Sequence, residues 1–105
     1  MIARIWTGVT RSDKGDEFYE YIKRTGVPGL TQTPGNRGVY VLRGSGDNEA
    51  HFMMISFWDS FEDIKGFAGE DISQARLYPD DEAFLIRYDA RVTHYDLVDF
   101  TREQA

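Results

Sequence analysis

Residues Ile2 to Val9, IARIWTGV, mix β-branched and aromatic side chains with no helical period, which predicts a strand. The period then changes. Ser12 or Asp13 is placed to cap a helix over Asp16 to Thr25, where Phe18, Tyr21 and Ile22 fall at i, i+3 and i+4 and form one apolar stripe. Gly26, Val27 and Pro28 end that helix, and the proline- and glycine-rich VPGLTQTPGNRG reads as a loop. Gly38 to Arg43 and Ala50 to Trp58 are two strands joined through the turn GSGDN, a hairpin pattern.

Ser60 follows as an N-cap with Asp63 at the third helical position, and Phe61, Ile64 and Ala68 give the next helix its apolar face. Gly69 interrupts it. Asp71 is placed to cap a second short helix through Ile72 and Ala75, which Pro79 stops, and Arg91 to Val98 supplies the last strand. Strand, helix, strand, strand, helix, strand is a ferredoxin-like βαββαβ plan, an α+β fold with a four-stranded antiparallel sheet. The first and third strands belong at its centre, with the fourth beside the first. No linker or low-complexity tract divides the chain, so residues 1–105 read as a single domain.

The plan leaves one sheet face bare. Along the third strand His51, Met53, Ile55 and Phe57 point one way and Phe52, Met54, Ser56 and Trp58 the other, so both faces are largely apolar. A soluble monomer seldom exposes an apolar patch beyond about 300–600 Å². A second copy laid face to face is the simplest cover, and a homodimer is expected.

Composition narrows the partners. A hydrophobic share of 41% fits a packed core, yet no apolar run approaches the roughly 18 residues of a membrane helix, so no membrane is expected as a partner. The net charge of −6, without a basic stripe, excludes a nucleic-acid backbone on electrostatic grounds. With no cysteine there is neither disulfide nor thiolate chemistry. MIARIWTGVTRSDKG lacks the basic lead and apolar core of an export signal, which makes a cytoplasmic location the expectation.

IARIWTG, TPGNRGVYVLR, HFMMISFWDSFEDIKGFAGED and the closing VTHYDLV together resemble the antibiotic biosynthesis monooxygenase family, with Trp58 to Ser60 as its Trp-x-Ser anchor. The resemblance spans nearly the whole chain. It implies a dimeric α+β barrel with a pocket between sheet and helices. It also implies a choice among oxygenases that use no metal or flavin, haem-degrading enzymes, and small proteins without assigned chemistry. Counted from that anchor, the pocket tryptophan of the haem-degrading branch falls at Phe67 and its axial histidine at Leu77. Leucine does not ligate iron, so no haem, and no other cofactor, is expected.

A cofactor-free oxygenase needs a phenolic or hydroquinone-like substrate, a proton acceptor and a dry pocket. Candidate catalytic residues are His94 and His51 as bases and Arg4 as holder of a phenolate. Trp6, Trp58, Phe67, Leu77 and Tyr78 are candidate walls for a small aromatic substrate, Tyr78 at the rim. The plainer reading makes the histidines core or interface residues and the tryptophans packing. The pairs Glu49 with His51 and His94 with Asp96 share strand faces but lack clustered ligand spacing, so no metal site is expected. Asp80 and Asp81, in the turn after Tyr78, read as solvated. A small aromatic or polyketide-like substrate oxygenated without a cofactor is the leading expectation. Its rivals are a non-catalytic ligand-binding or stress-associated dimer, and an isomerase or decarboxylase using the same base.

Overall fold

The computed structural model describes residues 1–101 of the chain. Strand β1 (Ile2–Arg11) leads through a 3-10 turn at Ser12–Lys14 into helices α1 (Gly15–Arg24) and α2 (Gly26–Thr31). The hairpin β2 (Asn36–Gly46) and β3 (Glu49–Trp58), helix α3 (Phe61–Ala68), the one-turn α4 (Asp81–Phe84) and the short strands β4 (Leu85–Tyr88) and β5 (Thr93–Asp96) follow. The strands form one antiparallel sheet in the order β2-β3-β1-β4, with β5 also on β1. This is the ferredoxin-like α+β plan, with β1 and β3 paired at the centre from Ile2 opposite Trp58 to Arg11 opposite Glu49.

Alternation decides what each central strand presents. Ala50, Phe52, Met54, Ser56 and Trp58 of β3 are buried under the helices, together with Ile2 and Arg4 of β1. Phe18 of α1 meets Phe52 edge to face, with ring centroids 5.0 Å apart, and Ile22, Leu30, Ile64, Phe67 and Leu85 complete the core. Truncating Phe18 to alanine would cost roughly 3–5 kcal/mol, because neighbours on both sheet and helix would lose contacts at once. On the opposite face Tyr40 (60% exposed), Leu42 (48%) and Tyr95 (58%) lie uncovered beside partly buried Met53, Ile55 and Phe57.

Several local expectations change. Ser12 and Asp13 sit in the 3-10 turn and neither side chain caps α1, whose N-cap position is Lys14. The segment read as a loop after Thr25 begins with helix α2. Pro28 lies in its first turn, where a missing N–H is no loss, and buried Leu30 anchors it to the core. The hairpin turn is tighter than GSGDN: only Asp47 and Asn48 turn, with φ of 26° and 63°, while Gly44 and Gly46 pair within β2.

The second half departs further. Ser60 Oγ does accept from Asp63 N (3.2 Å), as the cap of α3. No helix forms over 71–75, however. The Asp71 carboxylate accepts from Ser73 N (3.1 Å) and Ser73 Oγ (2.6 Å), a local turn that competes with helix formation. The chain then runs extended as a strap, pairing Gln74 with Arg91 and donating from Ala75 N to Ala90 O (2.9 Å). That pairing engages residues 90–92 with the strap, so the expected strand from Arg91 to Val98 is shortened to β5, and β4, which precedes it on the same edge of β1, is a strand the sequence reading lacked.

Candidate functional site

The strap, 71–80, and helices α1 to α3 close over the inner sheet face around a cavity of about 50 Å³. Arg4, Trp6 and Met54 line it from the sheet, Leu30 and Phe67 from the helices, and Arg76, Tyr78 and Asp81 from the strap and the start of α4. Arg4 points inward because β1 alternates, and only 4% of it is exposed. Its Nη1 donates to the carbonyl of Ile72 and its Nη2 to that of Gln74 (2.9 Å), tying sheet to strap. Among the described residues no carboxylate pairs with it, and burial lowers its pKa to about 10.

His94 is Arg4's cross-strand neighbour on β5, and its Nε2 lies 3.1 Å from Arg4 Nη1. A guanidinium only donates, so His94 Nε2 is the acceptor and its proton is on Nδ1. Burial, helped by the Arg4 charge, holds its pKa below the usual histidine value. Phe61 of α3 packs edge-on against the imidazole at 5.9 Å. His94 does not line the cavity; it stands behind Arg4.

His51 is elsewhere. It lies exposed on the opposite sheet face, 3.1 Å from Glu49 Oε1, and Arg87 grips both Glu49 oxygens at 2.7 Å. Trp58 is fully buried beyond the cavity, donating its indole N–H to Ser56 Oγ (2.9 Å) and packing on Phe67. Trp6 does reach the cavity, its ring lying over Gly8, where an added Cβ would fall 2.4 Å from the indole. Its N–H donates to Asp89 O (3.0 Å). Leu77 turns to a separate surface hollow with Tyr88 and Arg91, since it alternates with inward-facing Arg76 and Tyr78 along the extended strap.

Tyr78 brings an unusual group inside. Its hydroxyl is buried without a hydrogen-bond partner and lies where a Cβ on Gly29 would be 2.0 Å away. Arg76 stacks between Phe67 and Tyr78, 5.0 Å from each ring, and donates to Phe67 O (3.0 Å). Asp81 corrects the expectation of a solvated acid: it is 6% exposed, with Oδ2 accepting from Tyr78 N at 2.6 Å. Tyr21 OH accepts from Asp80 N (2.9 Å), which pins the turn and directs the Asp81 carboxyl inward. Burial there pushes its pKa up. Arg76 and Asp81 were absent from the sequence candidates. The signal for Arg76 was its i, i+2 spacing from Tyr78, which matters only in an extended segment.

Among the described residues no three histidine, aspartate or glutamate side chains converge to hold a metal. No helix among them is long and apolar enough to cross a membrane.

A ferredoxin-like sheet covered on one side, with a small polar-studded cavity under the cover, defines an α+β domain of the sheet-and-helix pocket type. The chain belongs to the antibiotic biosynthesis monooxygenase family, whose sequence profile matches residues 1–75. Arg4, Trp6 and Phe67 fall inside the matched stretch, whereas Arg76, Tyr78, Asp81 and His94 fall beyond it. None of the curated protein sequences matches the chain.

Solved structures with the same fold include a provisionally assigned antibiotic biosynthesis monooxygenase from Bacillus cereus, 16% identical, with TM-score 0.68 and coverage of 100% of this chain and 98% of that one. MhuD, a haem-degrader from Mycobacterium tuberculosis with two haems in its active site, is 16% identical, with TM-score 0.65 and coverage of 97% and 100%. An uncharacterised NIPSNAP-domain protein from Burkholderia xenovorans is 18% identical, with TM-score 0.60 and coverage of 98% and 100%. At these identities the likeness is one of fold.

Proposed function

We propose that the chain is a single-domain, homodimeric protein that binds a compact aromatic or polyketide-like molecule between sheet and strap and oxygenates it without a cofactor. The observation that carries this reading is the cavity's composition. Trp6, Phe67 and Tyr78 offer apolar faces to an aromatic ring, and Arg4 and Asp81 offer a buried cation and a buried carboxyl. Dimerisation is supported by the uncovered Tyr40, Leu42 and Tyr95 on the other face.

In this reading Asp81, rather than His94 or His51, takes the proton, because it alone of the three lines the cavity. A desolvated carboxyl with a raised pKa is a better base than a solvated one. For an anthrone-type methylene, Asp81 removes one proton and Arg4 stabilises the oxyanion of the resulting enolate. The carbanion gives an electron to O2, the radical pair joins, and the peroxide anion recovers the proton from Asp81. Loss of water then leaves a carbonyl. One CH2 and one O2 become one C=O and one H2O, all electrons coming from the substrate.

Haem, which MhuD binds, does not fit the residues here. Leu77 carries no ligand atom and faces a different hollow, and His94 Nε2 is occupied by Arg4. Oxygen uptake and product mass with a panel of hydroquinones and anthrones test the proposal: one O2 per carbonyl formed is expected, and no uptake across the panel defeats the catalytic reading. A second reading, a non-catalytic dimer in which the pocket is incidental, is favoured by the cavity's 50 Å³, well below the roughly 300–1,000 Å³ of ligand pockets. No oxygen uptake, with no ligand retained through purification by native mass spectrometry, would select it.

A further inference from the structure

The chain carries a net charge of −6, yet its cavity is lined by two guanidiniums, Arg4 and Arg76, against one carboxyl, Asp81. Arg76 is balanced by two aromatic faces and a carbonyl. Among the described residues no carboxylate balances Arg4: its hydrogen-bond partners are the carbonyls of Ile72 and Gln74 and an imidazole that accepts through Nε2, and the Phe67 ring lies 5.9 Å from its guanidinium carbon. A buried cation held only by neutral acceptors is incompletely compensated, and an anion in place of two of them would compensate it.

The two partners that can leave are both on the strap. Residues 71–80 contain no helix or strand; besides Arg4 they are held to residues 90–92 by the Gln74–Arg91 bridge, Ala75 N to Ala90 O (2.9 Å), Val92 N to Ser73 O (2.8 Å) and Arg91 Nη1 to Ser73 Oγ (2.6 Å), and at their far end by Arg76 Nη1 to Phe67 O (3.0 Å) and Asp80 N to Tyr21 OH (2.9 Å). His94 lies on β5, paired into the sheet, and stays with Arg4 when the strap moves. The guanidinium fork presents parallel N–H groups, which match two coplanar oxygens sharing one negative charge. A cavity of about 50 Å³ gains room for a ring only if the strap withdraws.

We propose that Arg4 is the receptor for a planar two-oxygen anion, a carboxylate or a chelating enolate borne by an aromatic ligand, and that this anion binds by replacing the carbonyls of Ile72 and Gln74 and lifting the strap from the sheet. The proposal rests on the ligand-binding reading above and adds the charge of the ligand and the mode of entry. His94 is a positioning residue in it: by accepting from Nη1 it holds the fork's plane while the strap partners exchange.

The test uses two isosteric probes, 2-naphthoate and neutral 2-naphthamide, titrated at neutral pH by calorimetry, with backbone amide exchange followed at Ala75 and Val92. Naphthoate is expected to bind about tenfold or more tighter than the amide, the increment of a charge-assisted pair. Its binding is expected to strip protection from Ala75 N and Val92 N. Arg4→Gln removes the charge and should abolish the preference for naphthoate; Arg4→Lys, which keeps the charge and loses the fork, should cut that preference several-fold and serves if Arg4→Gln does not fold. Equal binding of the two probes overturns the anion receptor while leaving ligand binding intact. Binding of neither overturns both readings. Naphthoate binding with unchanged protection at Ala75 and Val92 overturns the withdrawal of the strap.

Discussion

Arg4 and His94 face each other across the β1–β5 pair, guanidinium Nη1 to imidazole Nε2 at 3.1 Å, and the donor-only chemistry of arginine makes the histidine the acceptor. Burial disfavours the protonated ring, and protonating it would also set a second cation against Arg4, so the His94 pKa lies below the usual 6.5. A histidine whose folded pKa is depressed contributes stability that is present above its unfolded pKa and lost as pH falls through the folded one. The melting temperature of the wild-type protein is therefore expected to fall between about pH 7.5 and about pH 5 more steeply than that of His94→Gln, which keeps an acceptor but does not titrate. Parallel curves would show that His94 is not coupled to Arg4.

Asp81 titrates in the opposite sense. Its pKa is raised above the usual 3.8 chiefly by burial, so its contribution to stability is present below the unfolded pKa and is lost as pH rises through the folded one. The same rise creates the carboxylate that the proposed reaction needs. Oxygen uptake should climb with pH through the elevated Asp81 pKa, and Asp81→Asn should lower it by about 10²–10⁴-fold, the range for loss of a general base. Asparagine keeps an acceptor for Tyr78 N, whereas Asp81→Ala leaves that N–H unpaired and should cost about 1–3 kcal/mol by denaturant unfolding. Full activity in Asp81→Asn would remove the carboxyl from the chemistry.

The bare sheet face yields a prediction about assembly. Ile55 sits at its middle, opposite Ile5 on one side and Tyr40 on the other. A glutamate there would stand among apolar neighbours in any face-to-face dimer and beside water in a monomer. Wild type is expected to scatter light at twice the chain mass at micromolar concentration and Ile55→Glu at the single mass. A monomeric wild type would end the dimer proposal.

What was legible in the sequence follows the length of each pattern. The ten-residue strands β1 and β3 carry enough alternation to reveal both pairing and facing, and the Ser60–Asp63 cap fixes where α3 starts. The strap was misread because Asp71, Ile72 and Ala75 have helical spacing, while the interactions that hold them extended come from Arg4 and Ala90, 68 and 15 residues away from their respective partners Ile72 and Ala75. Four-residue segments such as α4 and β4 have no period to detect. The site divided the same way: Arg4, Trp6, Phe67 and Tyr78 face the cavity, whereas His51 and Leu77 point elsewhere, and Arg76 and Asp81 emerge only once the strap's path is known.

Gly29 and Tyr78 offer a closed thermodynamic test of how the strap seats. In an ordinary helix Gly→Ala gains up to about 1 kcal/mol. Here the new Cβ would lie 2.0 Å from the Tyr78 oxygen, while the next atoms, Tyr78 Cζ and Phe67 Cε1, are at 3.3 and 3.4 Å. The clash therefore resides almost wholly in the hydroxyl, which is itself buried without a partner. Gly29→Ala should destabilise by about 1–3 kcal/mol through overpacking. Tyr78→Phe should be neutral or stabilising, because it removes a desolvated hydroxyl that makes no hydrogen bond. The double variant should recover most of the loss and show the helical gain, giving a large coupling in a double-mutant cycle read by urea unfolding. Additive effects of the two substitutions would mean that Tyr78 does not rest on α2, and the strap would then need a different anchor.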